Sequence, residues 1–162
     1  MTRSTVRTAV QEFIADAFIE NLNQVLASFP KIVDISQSAT AGQYSPAFGI
    51  VFIAGENESR VAGGGIAGGW KRVDYQVQFI VQMLSMRESA EVAMNDHDTL
   101  IDAIKARLRD GEHRLGLEGG TIVWQAGEPE IAVDYQVPTT FDDGATEFKT
   151  AISFIVTEMI EA

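Results

Sequence analysis

A glycine tract in the middle of the chain is the first candidate for ligand chemistry. Its spacing, Gly63-x-Gly65-x-x-Gly68, formally matches the dinucleotide-binding fingerprint. That fingerprint needs a helix directly after the glycines, because the helix N-terminus binds the phosphates. Here the residues from Trp70 onward alternate as in a β-strand, so no helix dipole faces the glycines. The tract therefore indicates a flexible loop and not a nucleotide site.

Two groups of acidic residues and histidine could be imagined as metal ligands. Asp96, His97 and Asp98 are consecutive on a predicted helix, and adjacent helical residues point in different directions, so they cannot converge on one ion. Asp142 and Asp143 are followed by glycine, an order typical of a turn, and they lack the regularly alternating oxygen donors of a calcium loop. No metal and no cofactor are predicted, and Asp142 and Asp143 are kept as a candidate acidic loop.

Nothing in the composition points to catalysis. The chain has no cysteine, and no serine or threonine stands in a nucleophile-elbow sequence, so we expect that the protein is not an enzyme. Its 162 residues, 46% of them hydrophobic, are those of one globular domain. The net charge of −11 argues against sequence-independent nucleic-acid binding. No apolar run is long enough to cross a membrane.

Two helices are predicted from apolar periodicity. Residues 2–29 carry apolar side chains at steps of three and four and end before Pro30, which predicts a long N-terminal helix of roughly 25 residues. The second pattern begins near Ser89 and stops before Gly111, with His97 on or beside its apolar face.

The clearest strand follows the glycine tract and alternates strictly. Its apolar face is formed by Val73, Tyr75, Val77, Phe79, Val81 and Met83. The last part of the chain, residues 147–159, alternates in the same way and is expected to lie antiparallel beside residues 75–83. The apolar run 47–54 predicts a further strand, and residues 55–59 predict a turn or loop.

Shorter strands are predicted at residues 31–36, 121–126 and 130–134. Together the elements predict an α+β fold: a mostly antiparallel sheet, with the long N-terminal helix and the second helix packed on one side. Residues 1–162 form a single domain, with a flexible glycine-rich loop at about residues 62–69.

The order of these elements resembles the tail terminator proteins of long-tailed bacteriophages. The resemblance is carried by the N-terminal helix, the apolar strand 48–54, the long strand 70–84, the helix around residues 100–108, and the acidic turn at 142–147 that leads into the final strand. The long glycine tract departs from the family's pattern.

Membership of that family implies a structural virion protein without catalytic residues. Such proteins form a ring, usually a homohexamer, that caps the tail tube, stops its polymerisation and provides the tail side of the head–tail joining interface. The implied partners are other copies of the chain, the tail tube protein, and a head-completion or connector protein. DNA can pass through the ring without sequence-specific binding. The implied location is the tail or neck of a virion assembled in the host cytoplasm.

Two other functions stay open from the sequence: another ring protein of the neck, such as a connector or head-completion protein, and a small ligand-binding or enzymatic α+β domain. For the terminator, the glycine tract is the candidate interface loop. It is either an arm that orders on contact with a neighbour or a hairpin tip without a partner. Its residues are Gly63, Gly64, Gly65, Ile66, Gly68, Gly69 and Trp70.

Overall fold

A computed structural model of the protein describes residues 3–27, 44–61, 70–110, 122–124 and 131–161. The chain order of the elements is α1 (Arg3–Ala15), β1 (Leu22–Leu26), β2 (Ala47–Val61), β3 (Trp70–Ser85), α2 (Ala90–Asp110), β4 (Ile122–Trp124), β5 (Ala132–Tyr135), β6 (Thr139–Thr140) and β7 (Thr146–Glu161). The class is α+β, as the periodicities predicted.

All the described strands belong to one sheet, in the order β1-β2-β3-β7-β4, with β5 and β6 also paired to β7. The β1–β2 pair is parallel, and the other pairs are antiparallel. Every residue of β3 from Trp70 to Ser85 has a partner on β7. The expectation of a mostly antiparallel sheet, with the last strand beside the long one, is confirmed.

Both helices pack on the same face of this sheet. The odd-numbered residues of β3 from Val73 to Met83 point toward them and are buried. α1 contributes Val6, Val10 and Ile14 to the same core, and α2 contributes a stripe at helical spacing: Ala93, Leu100, Ile101, Ile104 and Leu108. A stripe of that width is what a helix needs to pack on a sheet. The prediction that the second helix packs on one side is therefore confirmed.

The prediction of a long N-terminal helix was wrong. α1 has only 13 residues and ends at Ala15, and residues 22–26 form β1 instead. Asn21 has a φ of 70°, a left-handed conformation that a helix does not continue through, and its carbonyl accepts the N–H of Ala47 at 2.8 Å. An apolar run shorter than two helical turns is compatible with either a helix or a strand. Hydrogen bonding to β2 determines that residues 22–26 form a strand.

The prediction of a turn or loop at residues 55–59 was also wrong, because β2 continues through these residues to Val61. A bulge between Ile53 and Gly55 absorbs one residue, and the pairing with β3 then resumes. The predicted strands at 121–126 and 130–134 appear as β4 and β5. The predicted strand at 31–36 and the glycine-rich loop at 62–69 lie outside the described residues.

Gly49 provides a test of the packing between β2 and β3. A Cβ at this position would overlap the ring of Phe79, which is fully buried and has no room to move. We expect Gly49→Ala to lower the free energy of unfolding by about 1–3 kcal/mol, as overpacking does. Urea denaturation measures it. The control is Gly55→Ala, where the new methyl meets only the side-chain end of Gln76 at 3.0 Å. Equal unfolding midpoints for the two variants would contradict the packing described here.

Candidate assembly interface

Much of the outer edge of β2 has no partner strand among the residues that the structure describes. β1 pairs only with residues from Ala47 to Ile50 of β2. Within the described part of the chain, no strand lies beside the outer edge of β2 from residue 53 to residue 61. The side chains of residues 56–60 are all exposed. The unpaired N–H and C=O groups of such an edge are a template for a strand from another chain.

The exposed end of the β2–β3 hairpin carries ion pairs. Lys71 Nζ lies 2.7 Å from a Glu58 carboxylate oxygen, and Arg3 Nε lies 3.3 Å from Glu56. Exposed pairs of this kind contribute up to about 1 kcal/mol each. Arg60 is exposed and has no ion-pair partner among the residues that the structure describes. The two ion pairs therefore support the hairpin, and Arg60 has no carboxylate partner in the part of the chain that the structure describes.

The opposite end of the sheet is apolar. Tyr44 precedes β2, Met86 follows β3, and the Met86 N–H donates to the Tyr44 carbonyl at 2.6 Å. Phe141 lies in the turn between β6 and β7, next to the strand pairs that end at Ser85. Val92 comes from the first turn of α2. These four side chains, 40–57% exposed, form what we call the sheet-end surface: Tyr44, Met86, Val92 and Phe141.

A depression of about 470 Å³ is part of this surface and is lined by Tyr44, Met86, Arg87, Glu88, Ser89 and Val92. A hydrogen-bond cluster lies beside it. Asp96 accepts from the Ser45 hydroxyl at 2.7 Å and from Arg87 Nε at 3.0 Å. The guanidinium of Arg87 also lies 4.6 Å from the ring centroid of Tyr44. These contacts fix the orientation of the surrounding side chains.

The sequence did not reveal the sheet-end surface, because its members come from four separate segments. The candidate acidic residues Asp142 and Asp143 prove to be its neighbours, in an exposed turn. Asp143 accepts the N–H of Ala145 at 3.0 Å, and Gly144 has a φ of 87°. The local role of these residues is that of a turn.

The candidate interface residues Gly63, Gly64, Gly65, Ile66, Gly68 and Gly69 lie outside the described residues. Trp70 is the first residue of β3 and pairs with Val61 across the hairpin. The structure thus shows where the glycine tract joins the sheet, and nothing further of the tract itself.

His97 is a core residue. It is 5% exposed, its Nε2 lies 2.8 Å from the Thr150 hydroxyl, and its ring stacks on Phe148 with centroids 4.7 Å apart. Burial lowers the pKa of His97, although Asp98 nearby favours the charged form. Among the described residues, no group of three or more His, Asp or Glu side chains is placed to hold a metal ion.

A second buried polar contact joins β3 and β7. The Tyr75 hydroxyl donates to a Glu158 carboxylate oxygen at 2.9 Å, and the two residues are 4% and 1% exposed. Burial, followed by the bond to Glu158, raises the pKa of Tyr75. Because both side chains are enclosed, the contact stabilises the core and is not positioned to meet a substrate.

No family model matches the chain, and no curated protein matches it. Within the described residues, neither helix is both long and apolar enough to span a membrane. The exposed surfaces at the β2 edge and at the sheet end are the strongest candidates for function.

The burial of His97 predicts a pH dependence of stability. Because its pKa is lower in the folded than in the unfolded state, the unfolded chain binds the proton more readily, and stability falls as the pH drops below about 6.5. We expect the urea midpoint to fall between pH 7.5 and pH 5.5, and to fall less in His97→Gln. The control is His113→Gln, which removes the chain's only other histidine. An identical pH dependence in wild type and His97→Gln would refute this.

Proposed function

We propose that the protein is a tail terminator of a long-tailed bacteriophage, a ring-forming structural protein of the virion tail. In this role it caps the tail tube, stops its polymerisation and forms the tail side of the head–tail joining interface. Its partners are further copies of itself, the tail tube protein, and a head-completion or connector protein. The edge of β2 at residues 53–61, which has no partner strand among the described residues, is the observation that carries the proposal.

An open strand edge of this length is a liability for a protein that acts alone. Natural sheets cover or shorten their edges, since unpaired backbone groups invite other strands. Among the described residues, the edge at 53–61 is protected by the exposed charged side chains of Glu56, Glu58 and Arg60 and by one bulge. Covering this edge with a second copy of the chain would remove the liability, which favours an oligomer.

The directions of the strands favour a head-to-tail oligomer. β4 and β5 border β7 on the side away from β3 and run antiparallel to β7. Because β7 and β2 are both antiparallel to β3, β4 and β5 are also antiparallel to β2. A rotation about an axis along the strands would therefore bring β2 of one copy antiparallel beside β4 and β5 of the next. Contacts of this heterologous kind form a ring when the rotation closes.

The remaining features are compatible with that role. The resemblance to tail terminators implies helices on one side of a sheet, and α1 and α2 share one face. A net charge of −11 would also limit adhesion of DNA that passes through a ring, since like charges repel.

The proposal is tested on virions and on the purified protein. Phage that lack the protein are expected to make tails of irregular and excessive length that do not join heads, and adding the purified protein is expected to restore both properties. Electron microscopy measures the tail lengths, and native mass spectrometry is expected to find one discrete ring. Tails of normal length that join heads without the protein would rule the function out.

A pair of proline variants tests the β2 edge. Successive N–H groups of a strand point to opposite sides of the strand, and proline has no N–H. Of Ser59→Pro and Arg60→Pro, one variant therefore loses a hydrogen bond to β3, and the other loses an N–H on the outer edge of β2. We expect the variant with the smaller loss in the urea midpoint to show the larger loss of ring assembly. Arg60→Ala controls for the lost charge. Full assembly of both proline variants would exclude this edge as the subunit contact.

A further inference from the structure

We propose that the sheet-end surface is the site that binds the end of the tail tube, through a tube surface that presents apolar side chains surrounded by lysine or arginine. This inference rests on the proposed function. It concerns a different part of the molecule from the β2 edge, because the sheet-end surface lies where the strands end and not along their side.

The first support is the apolar character of the surface. Tyr44, Met86, Val92 and Phe141 are large side chains that are 57%, 51%, 40% and 44% exposed. They come from four segments that the sheet and α2 bring together. Large exposed apolar side chains grouped at one end of a sheet are typical of a protein-binding site, and aromatic and methionine side chains are enriched in such sites.

The second support is the charge of the rim. Glu88 lines the depression, Glu91 directly precedes Val92 in the first turn of α2, Asp142 and Asp143 directly follow Phe141, and all four are exposed. None of them forms an ion pair within the described part of the chain. Among the described residues that line the depression, the one cation is Arg87, and Asp96 neutralises it at 3.0 Å. The uncompensated charge is therefore negative, and the partner that complements it is basic.

The third support is rigidity. The Ser45 and Ser85 hydroxyls lie 3.0 Å apart and are buried, and the Asp96 carboxylate joins them to Arg87. Side chains that are fixed before binding lose less conformational entropy on association, so a preformed surface binds more tightly than a mobile one.

The position of the surface indicates which partner meets it. If copies associate through strand edges, the strand ends lie at the two rims of the ring and face along its axis. The axial neighbours are then the tail tube and the head. The proposed protein caps the finished tube before the head joins, so the tube is the partner available to cover this apolar surface first.

The test measures binding of the purified protein to tail tubes isolated from phage that lack it. Met86→Lys and Phe141→Lys place a charge among the apolar side chains and repel a basic partner, and we expect each to raise Kd at least about tenfold, as loss of a central contact does. Glu88→Lys is expected to weaken binding and to reduce its dependence on salt. The control is Ala106→Lys, which adds the same charge at an exposed position near the other end of α2 from Val92 and is expected to leave Kd unchanged.

Each outcome has one meaning. If the wild-type protein does not bind tail tubes at all, the proposed function fails, and this inference fails with it. If the wild type binds and the Met86, Phe141 and Glu88 variants bind equally well, the sheet-end surface is not the tube site, while the proposed function stands. If Met86→Lys and Phe141→Lys abolish the ring, as seen by native mass spectrometry, the surface is a subunit contact and the inference is overturned. Intact rings that no longer bind tubes support it.

Discussion

The double pairing of β3 is the constraint on which the rest of the structure depends. All 16 residues of this strand pair with β7 on one side, and most also pair with β2 on the other. Because neighbouring strands satisfy its backbone hydrogen bonds over this length, β3 stays extended. Its alternating apolar and polar side chains therefore form two continuous faces of the sheet. The face that carries Phe79 packs under both helices, and the hydrophobic core lies between this face and the helices.

The length of these strands also explains the exposed surfaces. Sixteen residues of strand span about 50 Å, whereas the 21 residues of α2 span about 30 Å. The helices cannot cover the whole sheet, so one end of the β2–β3 hairpin projects with residues 56–60 exposed. No described strand pairs with the outer edge of β2 there, and the proposed ring contact follows from this difference in length.

The polar groups of the core and those of the surface have different roles. His97 and the Tyr75–Glu158 contact are enclosed between elements of one chain, where hydrogen bonds offset the cost of burying them. At the sheet end, by contrast, acidic side chains surround exposed apolar ones without counter-ions in the described residues. The buried polar groups therefore stabilise the fold, while the exposed groups at the sheet end are the ones available for contact with a partner.

The sequence by itself determined the elements whose apolar residues recur at a regular spacing. β3, β7 and α2 were predictable, since strict alternation is compatible only with a strand and a stripe at three- and four-residue steps only with a helix. It also indicated that the acidic residues 142–143 form a turn. Only the tertiary structure decided that residues 22–26 form a strand and that residues 55–59 continue β2. Both segments take their conformation from hydrogen bonds to distant partners, the first to β2 and the second to β3. The sheet-end surface also depends on tertiary structure, because Tyr44, Met86 and Phe141 reach the same end of the sheet only when the strands are in register.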